Sequence, residues 1–200
     1  ETVKFPGKIG ISSLEMFLDG DLAGASTGDT PKPMTDQTVS EKLKETLTKN
    51  MKRAYQQLQE KGISPAKNVI VDCDATSKRM QWKLDESPCM TRSRNRGMWI
   101  TSKHRRLRVS EVLRLQGMDS TKFVLDSSDI EMGKMAGNAM SVNVIERLLF
   151  QVLYAATMLP IDMIDKWATG QHLRTLRSTI GKTITYPNGS MQMDALHLGR

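Results

Sequence analysis

Hydrophobic positions at Val39, Leu43, Leu47, Met51, Ala54 and Leu58 recur at steps of three and four, with lysines and glutamates between them. That is the period of an amphipathic helix, and it predicts one over residues 38–61, ended by Gly62 and barred from continuing by Pro65. Ahead of it, the apolar segment IGISSLEMFLD runs into a Gly, Ser, Thr and Pro-rich connector from Gly20 to Pro33 that reads as a surface loop. Behind it, the β-branched run NVIVDCDA (68–75) and GMWIT (97–101) predict strands, with SPCMTRSRNRG between them as a loop.

A short helix is expected from Ser110, a good N-cap with Glu111 in its first turn, to Gly117. The most apolar helix follows a Gly-Asn-Ala loop. Ser141 or Asn143 caps it, and Val144, Ile145, Leu148, Leu149, Val152, Leu153 and Ala156 make a broad apolar face until Pro160. Such a helix is expected to be buried against a sheet or other helices. Two short amphipathic patterns come next, one through Ile161, Ile164 and Trp167 and one through Leu173, Leu176 and Ile180, and then a TITYPNGS strand and turn.

Composition narrows the class. Two hundred residues fit one or two domains, and with aromatics at 5% the core must lean on aliphatics and the 14 methionines, which fill irregular gaps. Two cysteines, Cys73 and Cys89, cannot make a disulfide framework, so a reducing, intracellular compartment is expected. No CxxC or HExxH pattern offers ligands, and His104, His172 and His197 stand far apart; no metal is expected. The chain opens at Glu1 without the apolar core of a signal peptide, which reads as processing or as a fragment, and the run Leu148 to Ile161 is too short to span a membrane.

Charge is uneven. From Arg92 to Arg108 the chain carries seven cations and no acid, as large as its whole net charge of +7. Cations mixed with loop glycines, hydroxyl residues and Trp99 suit phosphate contact, so nucleic acid is the expected partner.

Two segments about 20 residues apart, RRLRVSEVLRLQGM and AGNAMSVNVIERLL, resemble the last two signature motifs of the cytosine-5 DNA methyltransferases. The first is carried by Arg106, Leu107, Glu111, Arg114, Leu115, Gln116 and Gly117, the second by Gly137, Asn138, Val142 and Val144, and SPCMTRSRNRGMWIT resembles the loop and strand that precede them. Val109, Met118, Ala139, Met140 and Ser141 depart from the usual residues, so contacts through side chains 139–141 do not carry over.

The resemblance implies an α/β fold: the C-terminal portion of an S-adenosylmethionine-dependent methyltransferase, a mostly parallel sheet with flanking helices, plus a small mixed target-recognition region. Residues 1–109 would be that recognition region, 110–158 the returning part of the catalytic domain, and 159–200 an extension with no assigned role. Family enzymes flip a cytosine from the duplex, attack it with a cysteine thiolate, assist with a glutamate, and transfer methyl from S-adenosylmethionine to the 5-position. The Pro-Cys-Gln, Glu-Asn-Val and Phe-x-Gly-x-Gly segments this requires are not in the chain. Cys89, in Pro-Cys-Met, is not read as the nucleophile, and Cys73 reads as structural.

By the same resemblance, Gly137 and Asn138 are the candidate cofactor residues, with helix capping as the rival role. Arg92, Arg94, Arg96 and Arg106 are the candidate DNA contacts, although Arg106 and Arg114 could instead brace the join between recognition and catalytic regions. Glu111, Arg114, Gln116 and Gly117 form the structural motif. The implied partners are double-stranded DNA with a flipped cytosine and the missing N-terminal catalytic portion, with no membrane, in the nucleus of a eukaryote or otherwise the cytoplasm. An RNA cytosine-5 methyltransferase and a noncatalytic basic nucleic-acid-binding module are the alternatives.

Overall fold

The computed structural model describes residues 3–7, 10, 12–20, 40–122, 126–180, 184–185 and 191–192. Its centre is a four-stranded sheet of β1 (Val69–Val71), β2 (Trp82–Leu84), β3 (Trp99–Ile100) and β4 (Arg105–Arg106), in the order β2-β1-β3-β4. Every pairing is antiparallel, with Val69 opposite Leu84, Ile70 opposite Ile100 and Trp99 opposite Arg106. The expected mostly parallel sheet is therefore not found among the described residues. The connections explain why: residues 101–104 alone join β3 to β4, and a parallel pair needs a crossover of a dozen residues or more.

Alternation along β1 sends its side chains to two cores. Val69 and Val71 join Met51, Ala54 and Leu58 of α1 (Glu41–Glu60), with Cys73 and Trp99. Ile70 points the other way, to Leu14, Leu18, Met98, Ile100, Leu107, Val112, Leu113 and Ala136. This second core draws on α2 (Val109–Leu115), on α3 (Asp129–Asn138) and on a 3-10 turn at Leu14–Phe17. It takes side chains from both sides of residue 109.

α1 lies where its apolar period puts it, three residues shorter than expected at its N-terminal side; Val39 is outside the described residues. Asn50, fully buried on the inner face of α1, donates to the carbonyls of Cys73 and Ala75 and pins the turn after β1. The N-cap of α2 lies two residues earlier than expected, at Arg108 rather than Ser110. Arg108 takes the N-cap position and its N–H bonds to the Glu111 carboxylate, which frees Ser110 for a buried contact.

α3 has no counterpart in the expected elements. Its Met, Gly and Ala content gives a weak apolar period, but Ser128 and Glu131 cap it reciprocally, a Ser-x-x-Glu signature legible in the sequence. α4 (Val142–Ala155) is the expected apolar helix, yet no residue of it is buried. Val144, Leu149 and Val152 are 55, 51 and 46% exposed, which corrects the expectation of a buried helix. The Ile161–Ile164–Trp167 pattern forms turns rather than a helix, and α5 (Gln171–Arg177) realises the second pattern. β5 (Ile184–Thr185) and β6 (Met191–Gln192) pair antiparallel; the turn expected between them, and with it GKT at 181–183, lies outside the described residues.

Candidate functional site

α2 carries Ser110, Glu111 and Arg114 into the interior beside Val112 and Leu113. Glu111, fully buried, accepts from the Arg105 guanidinium at 2.7 and 2.8 Å and from the backbone N–H of Asp19 at 2.9 Å. One turn on, Arg114 is 1% exposed and donates to Asp19 Oδ1 at 2.5 Å and to the Phe17 carbonyl at 2.9 Å. Ser110 Oγ donates to the other Asp19 oxygen at 2.9 Å. The buried charges thus meet opposite charges and hydrogen bonds, the condition under which burial is tolerated. Asp19 organises the cluster, and nothing in the sequence marked it, because it lies 95 residues from Arg114.

The end of α2 binds the start of α4. Gln116 donates to the Ala136 carbonyl at 3.1 Å, accepts from Ser141 Oγ at 2.6 Å, and offers its backbone carbonyl to Val142 N–H at 2.8 Å. Ser141 occupies the N-cap position of α4, but its hydroxyl serves Gln116 rather than the helix. Gly117 has φ of +81°, and a Cβ there would sit 2.9 Å from the Asn143 nitrogen, so only glycine suits the crossing. The two motifs read as separate signatures are one packed junction.

Gly137 and Asn138 do not form a loop; they are the last residues of α3. Gly133 and Gly137, four residues apart on one face, receive the backbone of the segment 91–95 directly. A Cβ on Gly133 would collide with the Asn95 carbonyl, and one on Gly137 with Thr91 and Arg92. Asn138 is exposed, and its side chain has no hydrogen-bond partner among the described residues.

The basic run is largely neutralised by acids from elsewhere in the chain. Arg94 pairs with Asp72, and Arg106 binds Asp74 through both guanidinium nitrogens at 2.8 and 2.7 Å and the Gly97 carbonyl at 2.6 Å. Arg105 is on Glu111, Lys103 lies 3.6 Å from Glu15, and Arg108 lies 3.7 Å from Asp19. Burial acts to pull the Arg106 pKa down, but the bonds to Asp74 and the proximity of Cys73 outweigh it, and the pKa is raised. Asp72 and Asp74, two residues apart just after β1, were visible in the sequence only as parts of an expected strand.

Arg92 remains exposed with no ion pair among the described residues, and Arg96 lines a hollow of about 380 Å³ between the 90–98 segment, α2 and the start of α3. Cys73 Sγ lies 3.2 Å from Arg106, but desolvation dominates and pushes its thiol up to about 12, so it is a packed, unreactive group. Cys89 is exposed.

The segment after α4 folds back onto its first turns. The Trp167 indole N–H donates to Glu146 at 2.5 Å, His172 Nδ1 lies 3.0 Å from the same oxygen, and Arg147 binds Asp165 at 3.0 Å. Trp167, 7% exposed, packs over Gly117. Burial works to raise the Asp165 pKa, but the N–H groups of Ala168 and Trp167 and the Arg147 guanidinium outweigh it and hold the carboxyl below its ordinary value.

Among the described residues, no helix is long and apolar enough to cross a membrane. The family model described as C-5 cytosine-specific DNA methylase matches residues 20–153. No curated protein and no solved structure matches the chain.

Proposed function

This chain belongs to the C-5 cytosine-specific DNA methylase family, and from that premise we propose that it is the DNA-recognition and scaffold portion of a methyltransferase whose catalytic residues lie on an upstream portion. The observation that carries this reading is α4. A 14-residue helix with Val144, Leu148, Leu149 and Val152 all more than a third exposed leaves apolar side chains in water. Burying each such side chain contributes about 1.5–3 kcal/mol, so the face has a strong drive to be covered. An upstream catalytic portion bearing Pro-Cys-Gln and Glu-Asn-Val is the cover that the family supplies.

The residues present suit one wall of a cofactor site. Asn138 offers a free donor and acceptor at the end of α3, while Gly137 is taken up by packing against Thr91 and Arg92. S-adenosylmethionine, when bound, supplies an electrophilic methyl group. This chain's part is to hold Asn138 in place: Gln116 grips the Ala136 carbonyl two residues before it and Ser141 three residues after it. Arg105, Arg108 and Arg114 brace the recognition region to α2, Arg106 is held within that region on Asp74 and the Gly97 carbonyl, and DNA contact falls to exposed cations such as Arg92. Two free thiols, Cys73 and Cys89, accord with an intracellular setting, the nucleus in a eukaryote or the cytoplasm otherwise.

Labelled S-adenosylmethionine mixed with the chain and duplex DNA should leave no methyl on cytosine, and addition of the upstream catalytic portion should restore transfer. Robust transfer by the chain alone would overturn the division of labour. Transfer to transfer RNA but not duplex DNA by the reconstituted protein would move the substrate to RNA. An upstream reading frame without Pro-Cys-Gln and Glu-Asn-Val would leave a noncatalytic nucleic-acid-binding module.

A further inference from the structure

Resting on the DNA-methylase reading, we infer that Arg92 and Lys134, brought together across the α3 glycine face, form a phosphodiester-binding site for duplex DNA. Lys134 was not singled out by its sequence. It is exposed on α3 and lines, with Thr91, Arg92, Ser93 and Asn95, a shallow hollow of about 530 Å³. Those five residues supply two cations, two hydroxyls and an amide, with no carboxylate and no apolar side chain.

Geometry and charge both favour a polyanion here. Five of the seven cations between residues 92 and 108 face carboxylates of this chain. Arg92 does not, among the described residues, so its charge is available to a ligand. The acid closest in sequence to Lys134, Glu131, hydrogen-bonds the Ser128 hydroxyl and N–H at 3.0 and 3.2 Å, and the Lys134 charge reaches it through space without a salt bridge among the described residues. A shallow hollow flanked by cations suits a backbone running across it better than an enclosed small molecule.

The site is also held in shape. Gly133 and Gly137 let the 91–95 backbone lie on the helix, the Arg94 N–H closes a turn on the Thr91 carbonyl, and Arg94 is tied behind to Asp72. Little ordering is then left for binding to supply. Lys134 and Asn138 are four residues apart, one turn along the same side of α3. A phosphate held at Lys134 therefore anchors the helix that presents the candidate cofactor residue.

The test is the salt dependence of binding of a 20-base-pair DNA duplex to the full chain, followed by fluorescence anisotropy, for the wild type and for Arg92→Gln/Lys134→Gln. Both side chains are exposed, and unchanged circular dichroism would verify the fold. Loss of two phosphate contacts should flatten the slope of log K against log salt by about 1.8. A control, Lys42→Gln/Lys52→Gln on exposed positions of α1, removes the same charge and should leave the slope within about 0.5 of wild type. An unaltered slope in the Arg92/Lys134 variant, or an equal loss in the control, would overturn the site while leaving the DNA-methylase reading intact. A wild-type chain with no salt-dependent binding would overturn both. Tighter binding of an RNA duplex of equal length, with the same loss on substitution, would overturn the assignment to DNA.

Discussion

The Ser141 hydroxyl donates to the side-chain carbonyl of Gln116 at 2.6 Å, across 25 residues, and so joins the two sequence motifs of this chain at a single amide. Gln116 uses both ends of that amide and its backbone carbonyl, binding the end of α3 and the start of α4 at once. A residue of this type can be neither shortened nor replaced by an acid without leaving a buried group unpaired.

Gln116→Ala should destabilise the chain by about 1–3 kcal/mol, the cost of leaving buried partners unsatisfied. Urea unfolding of Gln116→Ala, Ser141→Ala and the double variant measures it, and the double variant should lose less than the sum of the singles. Strict additivity would show that the two side chains do not share one contact.

Asp19→Ala should be harsher. It removes the partner of Arg114, which is 1% exposed, and breaking a buried pair from one side costs about 3–5 kcal/mol. Asp19→Ala combined with Arg114→Met should recover part of the loss in the same unfolding assay.

Gly137→Ala should weaken the seating of residues 91–95 on α3, since the new methyl would strike the Thr91–Arg92 backbone. Its melting temperature should fall by several degrees, in line with an overpacking cost of about 1–3 kcal/mol. If the glycine acts only on cofactor, the free chain would melt as wild type does.

Acid should loosen the segment after α4. Asp165 has a folded pKa below its ordinary value, so its contribution to stability is present above the unfolded value near ~4 and is lost as pH falls through the lower folded value. Thermal melts of the wild type and Asp165→Asn should differ most near neutral pH and converge below about pH 3. A difference constant over that range would remove Asp165 from the account.

Alkylation at neutral pH should label Cys89 and spare Cys73. The first is exposed; the second is buried, with its thiol pushed up to about 12. Mass spectrometry of the intact folded chain after brief iodoacetamide treatment reads the difference, and labelling of Cys73 at the rate of Cys89 would contradict its burial.

Periodicity made α1, β1, β3, α4 and α5 legible, because each has an apolar repeat that local chemistry alone imposes. α3 was hidden because it buries only Ala136, and its glycines, poor helix formers, are there for the backbone that lies on them. The charge run was legible as a feature but not as an arrangement. Arg94 and Arg106 read as candidate DNA contacts in the sequence, and in the structure their guanidiniums lie on Asp72 and Asp74.

The sequence by itself determined the two segments that resemble family motifs, the helical and strand periods and the concentration of positive charge, since these follow from which residues stand next to which. Tertiary structure alone decided that Asp19 neutralises Arg114, that Gln116 clasps Ser141, and that Lys134 comes to lie beside Arg92. Those pairings depend on closing loops of 25 to 95 residues, and such contacts are chosen by packing and by the cost of leaving buried charge unpaired, not by neighbours along the chain.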